Sequence, residues 1–317
     1  MAATIQLLAV FIGLAIVIGA ADKFVSAASS IADIIRVPHL FIGLSVVAFG
    51  TSLPELAVSL NAATDGRGAM AIGNVVGSNF ANMLLILGIC ATIAPVPVGK
   101  RTVLRDGVAC ILATGLFFWA TLGGIINAAH GGLFVVLMAT YLLVALKSGE
   151  TFQDDLEAPS CSLMRNSLVC FAAAFLIWVG SELTVYAAVT LSRTLGLSEA
   201  LIGVTVLALG TSLPELATCL TCLKSGRVNM LVGAILGSNL FNIIAIIGIT
   251  SLVVPIEVPT EFVGLHLPLL LAATVITVFL LATDFVLVRW EGLALLTMYC
   301  GYIYLTGSTE LALANSQ

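Results

Sequence analysis

The stretch Ala48-Phe49-Gly50-Thr51-Ser52-Leu53-Pro54-Glu55-Leu56 returns later in the chain as Ala208-Leu209-Gly210-Thr211-Ser212-Leu213-Pro214-Glu215-Leu216. Each copy sets a carboxylate inside a strongly apolar run. A charge at bilayer depth costs at least about 2–3 kcal/mol, so it is kept only where it has a partner or a task. Each copy also carries Gly and Pro just ahead of the Glu, which interrupts a continuous helix. The sequence therefore predicts two broken helices, each with a buried acid. Interrupted segments at corresponding places in two halves of a membrane protein point to an ion site.

The duplication is wider than the phrase. Residues 42–89 align with 202–249 at a constant shift of 160 without a gap, and about half the positions are identical, which is internal duplication. Of the 317 residues, 60% are hydrophobic and only 9% charged, whereas a soluble domain carries about 25% charged residues. This composition predicts an all-α polytopic membrane protein with the lipid bilayer as its surroundings. The net charge of −5 offers no basic face for nucleic acid. The seven cysteines are dispersed and odd in number, which excludes a disulfide framework, and Cys219 and Cys222 read as packing residues despite their CxxC spacing.

Apolar runs of spanning length, about 20 residues each, fall near 4–32, 39–63, 69–94, 104–122, 128–147, 165–194, 199–223, 229–254, 262–283 and 289–308. The first ends in small residues like a signal peptide, but no positive charge precedes it, so it is expected to be retained. The small stretch Ser26 to Ser30 would admit a close neighbour. Ten spans divide into a first five-helix repeat, 1–147, and a second, 165–317, joined by an acidic linker, 148–164. Five spans separate the copies, so the second crosses in the opposite sense and the repeats are inverted.

Lys and Arg set the orientation. Arg36, Lys100, Arg101, Arg105, Lys147, Arg165, Lys224, Arg227 and Arg289 fall on one side of this map, and only Arg67 and Arg193 on the other. The positive-inside rule then puts the linker in the cytoplasm and both termini outside it, in the cell (inner) membrane.

Ser52-Leu53-Pro54-Glu55 fits a capping box, with Ser as N-cap, Pro just inside the helix and Glu at the third helical position. A helix that starts in mid-membrane would leave the carbonyls of Ala48 and Phe49 without helical partners, and with Thr51 and Glu55 these could line a cation site. A second signature follows each phrase. Gly73-Asn74-Val75-Val76-Gly77-Ser78-Asn79-Phe80-Ala81-Asn82 returns as Gly233-Ala234-Ile235-Leu236-Gly237-Ser238-Asn239-Leu240-Phe241-Asn242. Ser78 and Asn82, like Ser238 and Asn242, share a helix face at i, i+4. Glycines 73, 77 and 88, and 233, 237 and 248, would allow tight helix packing, which alone could explain the signature. The coincidence of two acids with hydroxyls and amides in duplicate favours a shared midplane site.

No His or Cys stands in the repeated phrases, so the ligand chemistry is hard oxygen, suited to Ca²⁺ or Na⁺ and not to Zn²⁺ or Cu⁺. Asp22 and its counterpart Glu182 could assist at a site mouth, though pairing with Lys23 or a loop cation is the favoured reading. His39, His130 and His266 lie near span ends and read as lone interfacial histidines.

At these residues the chain resembles the cation/calcium exchanger superfamily, in its prokaryotic sodium/calcium exchanger branch. The resemblance runs through both repeats. It implies that Glu55, Glu215, Thr51 and Thr211 hold Ca²⁺. It also implies that Ser52, Ser78, Ser212 and Ser238, with the carbonyls of Ala48 and Ala208, complete flanking Na⁺ sites around central Asn82 and Asn242. Some relatives have Asp at the position of Asn242, so Asn there makes the site less negative and argues against potassium dependence. Exchange of Ca²⁺ for Na⁺ by alternating access is the expected function, with Ca²⁺/H⁺ antiport as the alternative; no cofactor and no obligatory protein partner is implied. An intramembrane hydrolase would need a buried activating His, Lys or Asp beside Ser52 or Ser212, and a cation channel would need a continuous pore.

Overall fold

The computed structural model describes residues 2–147, 162–194 and 208–314. The acidic linker, Cys161 and the start of the seventh expected span lie outside the described residues.

Helices occupy the expected runs. They are α1 (Ala2–Ile35), α2 (His39–Thr51), α3 (Leu53–Thr64), α4 (Gly68–Ile93), α5 (Lys100–Thr121), α6 (Ala128–Lys147), α7 (Leu163–Thr194), α8 (Ala208–Thr211), α9 (Leu213–Lys224), α10 (Val228–Val253), α11 (Phe262–Thr283) and α12 (Arg289–Ala314). Among the described residues, 7 helices are long and apolar enough to cross a membrane, and α2 with α3 forms a further pair bent by 46°.

The layering is that of a membrane protein with a polar centre. The apolar window of α10 is 100% buried and that of α4 72%, against 22% for α1 and α6. The two signature helices therefore form the axis of the bundle. Large apolar side chains such as Phe11, Phe171 and Phe279 face outward, where lipid solvates them.

Four short strands fix the relative sense of the halves. β1 (Val96–Pro97) pairs antiparallel with β4 (Val286–Leu287), and β2 (Ile125–Ile126) with β3 (Ile256–Glu257). The 22 residues of α5, about 33 Å at 1.5 Å per residue, separate β1 from β2, so these lie at opposite ends of the bundle. By the repeat, β1 corresponds to β3 and β2 to β4. Yet β1 shares its end with β4, the counterpart of β2. Parallel repeats would put β1 and β3 together, so the halves are inverted, as the count of spans requires.

Glycine contacts carry the same exchange of partners. A Cβ at Gly292 would lie 2.8 Å from the Gly88 carbonyl, and one at Gly131 would lie 2.7 Å from the Gly248 carbonyl. Each signature helix thus packs on the last helix of the other repeat. Gly233 and Gly237 admit α2, whose Leu40 and Leu44 carbonyls stand where a Cβ would be. Gly73 meets only Phe262 among the described residues, at an ordinary 3.5 Å.

The outer pair, α1 and α7, is joined at Gly13 and Gly180, where a Cβ on Gly180 would lie 2.8 Å from the Gly13 carbonyl. The stretch Ser26 to Ser30 does take a neighbour: α9 packs on α1, and just beyond the end of α9 Arg227 Nε donates to Ser29 Oγ at 2.9 Å. In α5, Asp106 is fully buried and held by Arg105 (Nε to Oδ1 2.6 Å) and by the Tyr141 hydroxyl at 2.9 Å, which ties α5 to α6.

Several expectations are corrected here. Asp22 and Glu182 are exposed, and neither has an ion-pair partner among the described residues. Asp22 and Lys23 are adjacent on a helix, and adjacent side chains diverge. The histidines are not lone. His39 Nε2 lies 3.0 Å from Asp33 Oδ1 and 3.2 Å from Ser29 Oγ, His266 Nδ1 lies 3.4 Å from the Tyr302 hydroxyl, and His130 Nδ1 accepts from Asn127 N–H at 3.3 Å. Cys219 and Cys222 are free, buried thiols, in keeping with packing.

Candidate functional site

The two breaks have one geometry. Ser52 sits at φ −86°, ψ 6° and Ser212 at φ −87°, ψ 5°, in the sparsely populated bridge between helix and strand conformations. Proline causes this: Pro54 has no N–H for the Gly50 carbonyl and its ring would collide with it. The backbone ladder stops with Ser52 N–H on Ala48 O at 3.0 Å and resumes with Leu56 N–H on Ser52 O at 3.1 Å.

Two details of the expected helix start are overturned. Ser52 and Ser212 occupy the N-cap positions with Pro in the first turn, but neither makes a side-chain cap hydrogen bond. The capping box fails because the Ser52 N–H is already taken by Ala48, which leaves Glu55 nothing to reach back for. The Ala48 carbonyl is likewise not bare, since it also accepts from Thr51 Oγ1 at 3.3 Å. The proline-freed carbonyls are those of Gly50 and Gly210, and Ser181 on α7 donates to the latter at 2.9 Å.

Inversion brings the duplicated residues together. Ser52 Oγ donates to Glu215 Oε1 at 3.3 Å, Thr51 Oγ1 lies 3.5 Å from Ser238 Oγ, and Thr211 Oγ1 lies 3.5 Å from Asn74 Oδ1. Glu55 has Glu215, Ser78 and Thr211 as electrostatic neighbours, and Glu215 has Thr51, Ser52 and Ser238. Each acid thus faces one serine of its own repeat and a threonine of the other. The cluster is sealed, with Glu55 0% and Glu215 2% exposed.

Among the described residues, many of these atoms have no hydrogen-bond partner although they are buried: both Glu55 oxygens, Glu215 Oε2, Ser78 Oγ, Ser212 Oγ, and both amide atoms of Asn82 and of Asn242. Buried polar atoms are satisfied in the large majority of cases, and each exception calls for an explanation such as an ion. The exceptions concentrate where the two breaks meet. Asn82 and Asn242 stand in widened π-helical turns, Ala81–Ile86 and Phe241–Ile246, a distortion frequent at functional positions. Asn79 and Asn239 instead donate to the carbonyls of Val75 and Ile235 at 2.7 and 3.0 Å and serve their own helices. Ala48 is fully buried beside Thr51, and Ala208 opens α8.

The chain matches the family described as Sodium/calcium exchanger protein over residues 5–147 and 166–307. It belongs to that family. It is 34% identical over 313 residues to a protein named putative antiporter CaxA from Alkalimonas amylolytica, covering 95% of this chain and 98% of that one. It is 29% identical over 344 residues to the sodium/calcium exchanger MaX1 of Methanosarcina acetivorans, with the same coverage of 95% and 98%. A solved structure of the sodium-calcium exchanger NCX_Mj, soaked with Na⁺ and Sr²⁺, superposes with a TM-score of 0.84 at 27% identity, over 95% of this chain and 98% of that one. This exchanger is therefore an integral, multi-pass helical membrane protein of a cation-exchange family.

Two residues of the cluster are not evident from the repeated phrases. Asn74 and Ser181 have Ala234 and Ala21 at the corresponding positions. Identity between the copies hides them, and the mismatch itself was the available signal.

Proposed function

We propose that this chain is a secondary active antiporter that exchanges Ca²⁺ for Na⁺ by alternating access, with the two ions competing for one midplane site built on Glu55 and Glu215. The observation that carries the reading is the knot of buried, partnerless oxygens where two broken helices of opposite sense meet. Two carboxylates there bring a charge of −2 into a sealed interior, where desolvation costs several kcal/mol per ion unless compensated. One Ca²⁺ or several Na⁺ supply that compensation, and competition between them couples the two fluxes. Glu55, Glu215, Thr51 and Thr211 hold Ca²⁺. Ser52, Ser78, Ser212 and Ser238, with the carbonyls of Ala48 and Ala208, hold Na⁺ to either side, and Asn82 and Asn242 stand between.

The all-oxygen donor set suits these ions, since Ca²⁺ takes 6–8 oxygens at about 2.3–2.6 Å. The halves 1–147 and 165–317 act as the two inverted units of the exchanger, with the linker and basic loops cytoplasmic, both termini outside, and the chain in the cell membrane.

The test is calcium-45 uptake into proteoliposomes with Na⁺, K⁺ or H⁺ gradients imposed separately. An outward Na⁺ gradient drives saturable uptake if the reading holds. Uptake driven by H⁺ alone assigns the Ca²⁺/H⁺ antiport, and unsaturable flux without a counter-ion assigns a channel.

A further inference from the structure

The two halves of the site are not equivalent, and the difference centres on Asn74. It lies on α4, one turn before Ser78, and is 5% exposed. Its Nδ2 donates to the backbone carbonyl of Glu55 at 3.1 Å and to Ser59 Oγ at 2.9 Å, while Thr211 Oγ1 donates to its Oδ1 at 3.5 Å. A backbone carbonyl only accepts, so the amide nitrogen must face Glu55. The amide oxygen must then face Thr211, and the Thr211 proton is drawn to it. Thr211 also lies beside the Glu55 carboxyl. One amide thereby fixes the helix turn that carries one acid and the hydroxyl orientation of the threonine opposite.

The other half has no such device. Ala234 stands at the position of Asn74 and Cys219 at that of Ser59.

We propose that Asn74 is a positioning residue for the divalent cation: it holds the helix turn of Glu55 and the Thr211 hydroxyl opposite as a preorganised half-site. This deepens the exchange reading and rests on it. Ion–dipole attraction scales with the ion's charge, so displaced oxygens weaken Ca²⁺ binding more than Na⁺ binding. Removing a group that holds a metal ligand costs about 10–100-fold in affinity.

The experiment measures Ca²⁺ and Na⁺ dissociation constants of the purified, full-length protein by calorimetry, beside the thermal midpoint. Asn74→Ala raises the Ca²⁺ constant about tenfold or more and the Na⁺ constant by a much smaller factor. Ser59→Ala, which removes only one anchor of the amide, shifts Ca²⁺ in the same direction by less, and serves if Asn74→Ala does not fold. Ala234→Asn in the Asn74→Ala background restores part of the Ca²⁺ affinity. Equal weakening of both ions, or a lowered midpoint with the parent's Ca²⁺ constant, overturns the proposal and leaves Asn74 a packing residue. If instead Na⁺ fails to compete with Ca²⁺ in the parent, the exchange reading fails while the Ca²⁺ comparison among variants still stands or falls by itself.

Discussion

Ser52 Oγ donates to Glu215 Oε1 at 3.3 Å across 163 positions of sequence, whereas Ser212 Oγ, its counterpart, has no hydrogen-bond partner among the described residues. A hydrogen bond contributes about 0.5–1.5 kcal/mol net, and only one of the two serines makes it. Ser52→Ala is expected to lower the melting temperature measured without ions, while Ser212→Ala leaves it unchanged. Both variants weaken Na⁺ activation of transport, because both hydroxyls are proposed Na⁺ ligands. Equal melting temperatures for the two variants would remove the asymmetry.

Neutralising either acid separates binding from folding. Glu55→Gln or Glu215→Gln keeps the volume and removes one of two neighbouring buried charges, so the ion-free protein is expected to melt no lower than the parent. Calcium uptake is abolished, and the upward shift in melting temperature on adding Ca²⁺ disappears, because stabilisation by a ligand follows its affinity for the folded state. Uptake at the parent rate in either variant would show that the two acids do not share the transported ion.

Gly237 tests the packing on which the crossing depends. A Cβ there would lie 2.7 Å from the Leu44 carbonyl and 2.8 Å from Ala48 Cβ, whereas Gly115 has nothing within 4 Å. Overpacking costs about 1–3 kcal/mol, and here it pushes α2 away from α10 beside Ala48. Gly237→Ala should therefore lower both melting temperature and Ca²⁺ affinity, and Gly115→Ala should change neither.

The sequence carried the architecture because duplication is legible at a fixed offset. The shift of 160 and the five intervening spans predicted inversion, and the pairing of β1 with β4 bears it out. The helix breaks were legible because Pro54 and Pro214 have no N–H. What the residues around the breaks do instead was not legible. A capping box is a local rule, and it lost to a contact between repeats: the Ser52 hydroxyl points at Glu215, and the Ser52 N–H stays with Ala48. The π-helical turns at Asn82 and Asn242 escaped for a related reason, since a widened turn is set by packing between helices and leaves no mark on apolar periodicity. Asn74 and Ser181 escaped because attention to identical positions passes over those where the copies differ.

The last prediction concerns which parts move. The exchanger's α1 and α7 lie outside the core of signature helices and are locked to each other at Gly13 and Gly180, so they are expected to slide as one body past the broken helices. Among the bonds that tie this pair to the rest are Ser181 Oγ to the Gly210 carbonyl at 2.9 Å, Arg227 Nε to Ser29 Oγ at 2.9 Å, and His39 Nε2 to Asp33 Oδ1 at 3.0 Å and Ser29 Oγ at 3.2 Å. A slide must break or exchange them, and the ion that binds one state better selects it. Cysteines are placed singly at Ser26, Ser30, Ala188 and Thr190, after the exposed Cys300 and Cys161 are replaced by Ser. Their labelling rates by a water-soluble maleimide should differ between saturating Na⁺ and saturating Ca²⁺. Adding Ser181→Ala removes one tie, so the ion-free labelling pattern should move away from that of the parent. Rates that are the same in Na⁺, in Ca²⁺ and without ions, with changes appearing at positions within 39–63 instead, would reverse the assignment of moving and fixed parts.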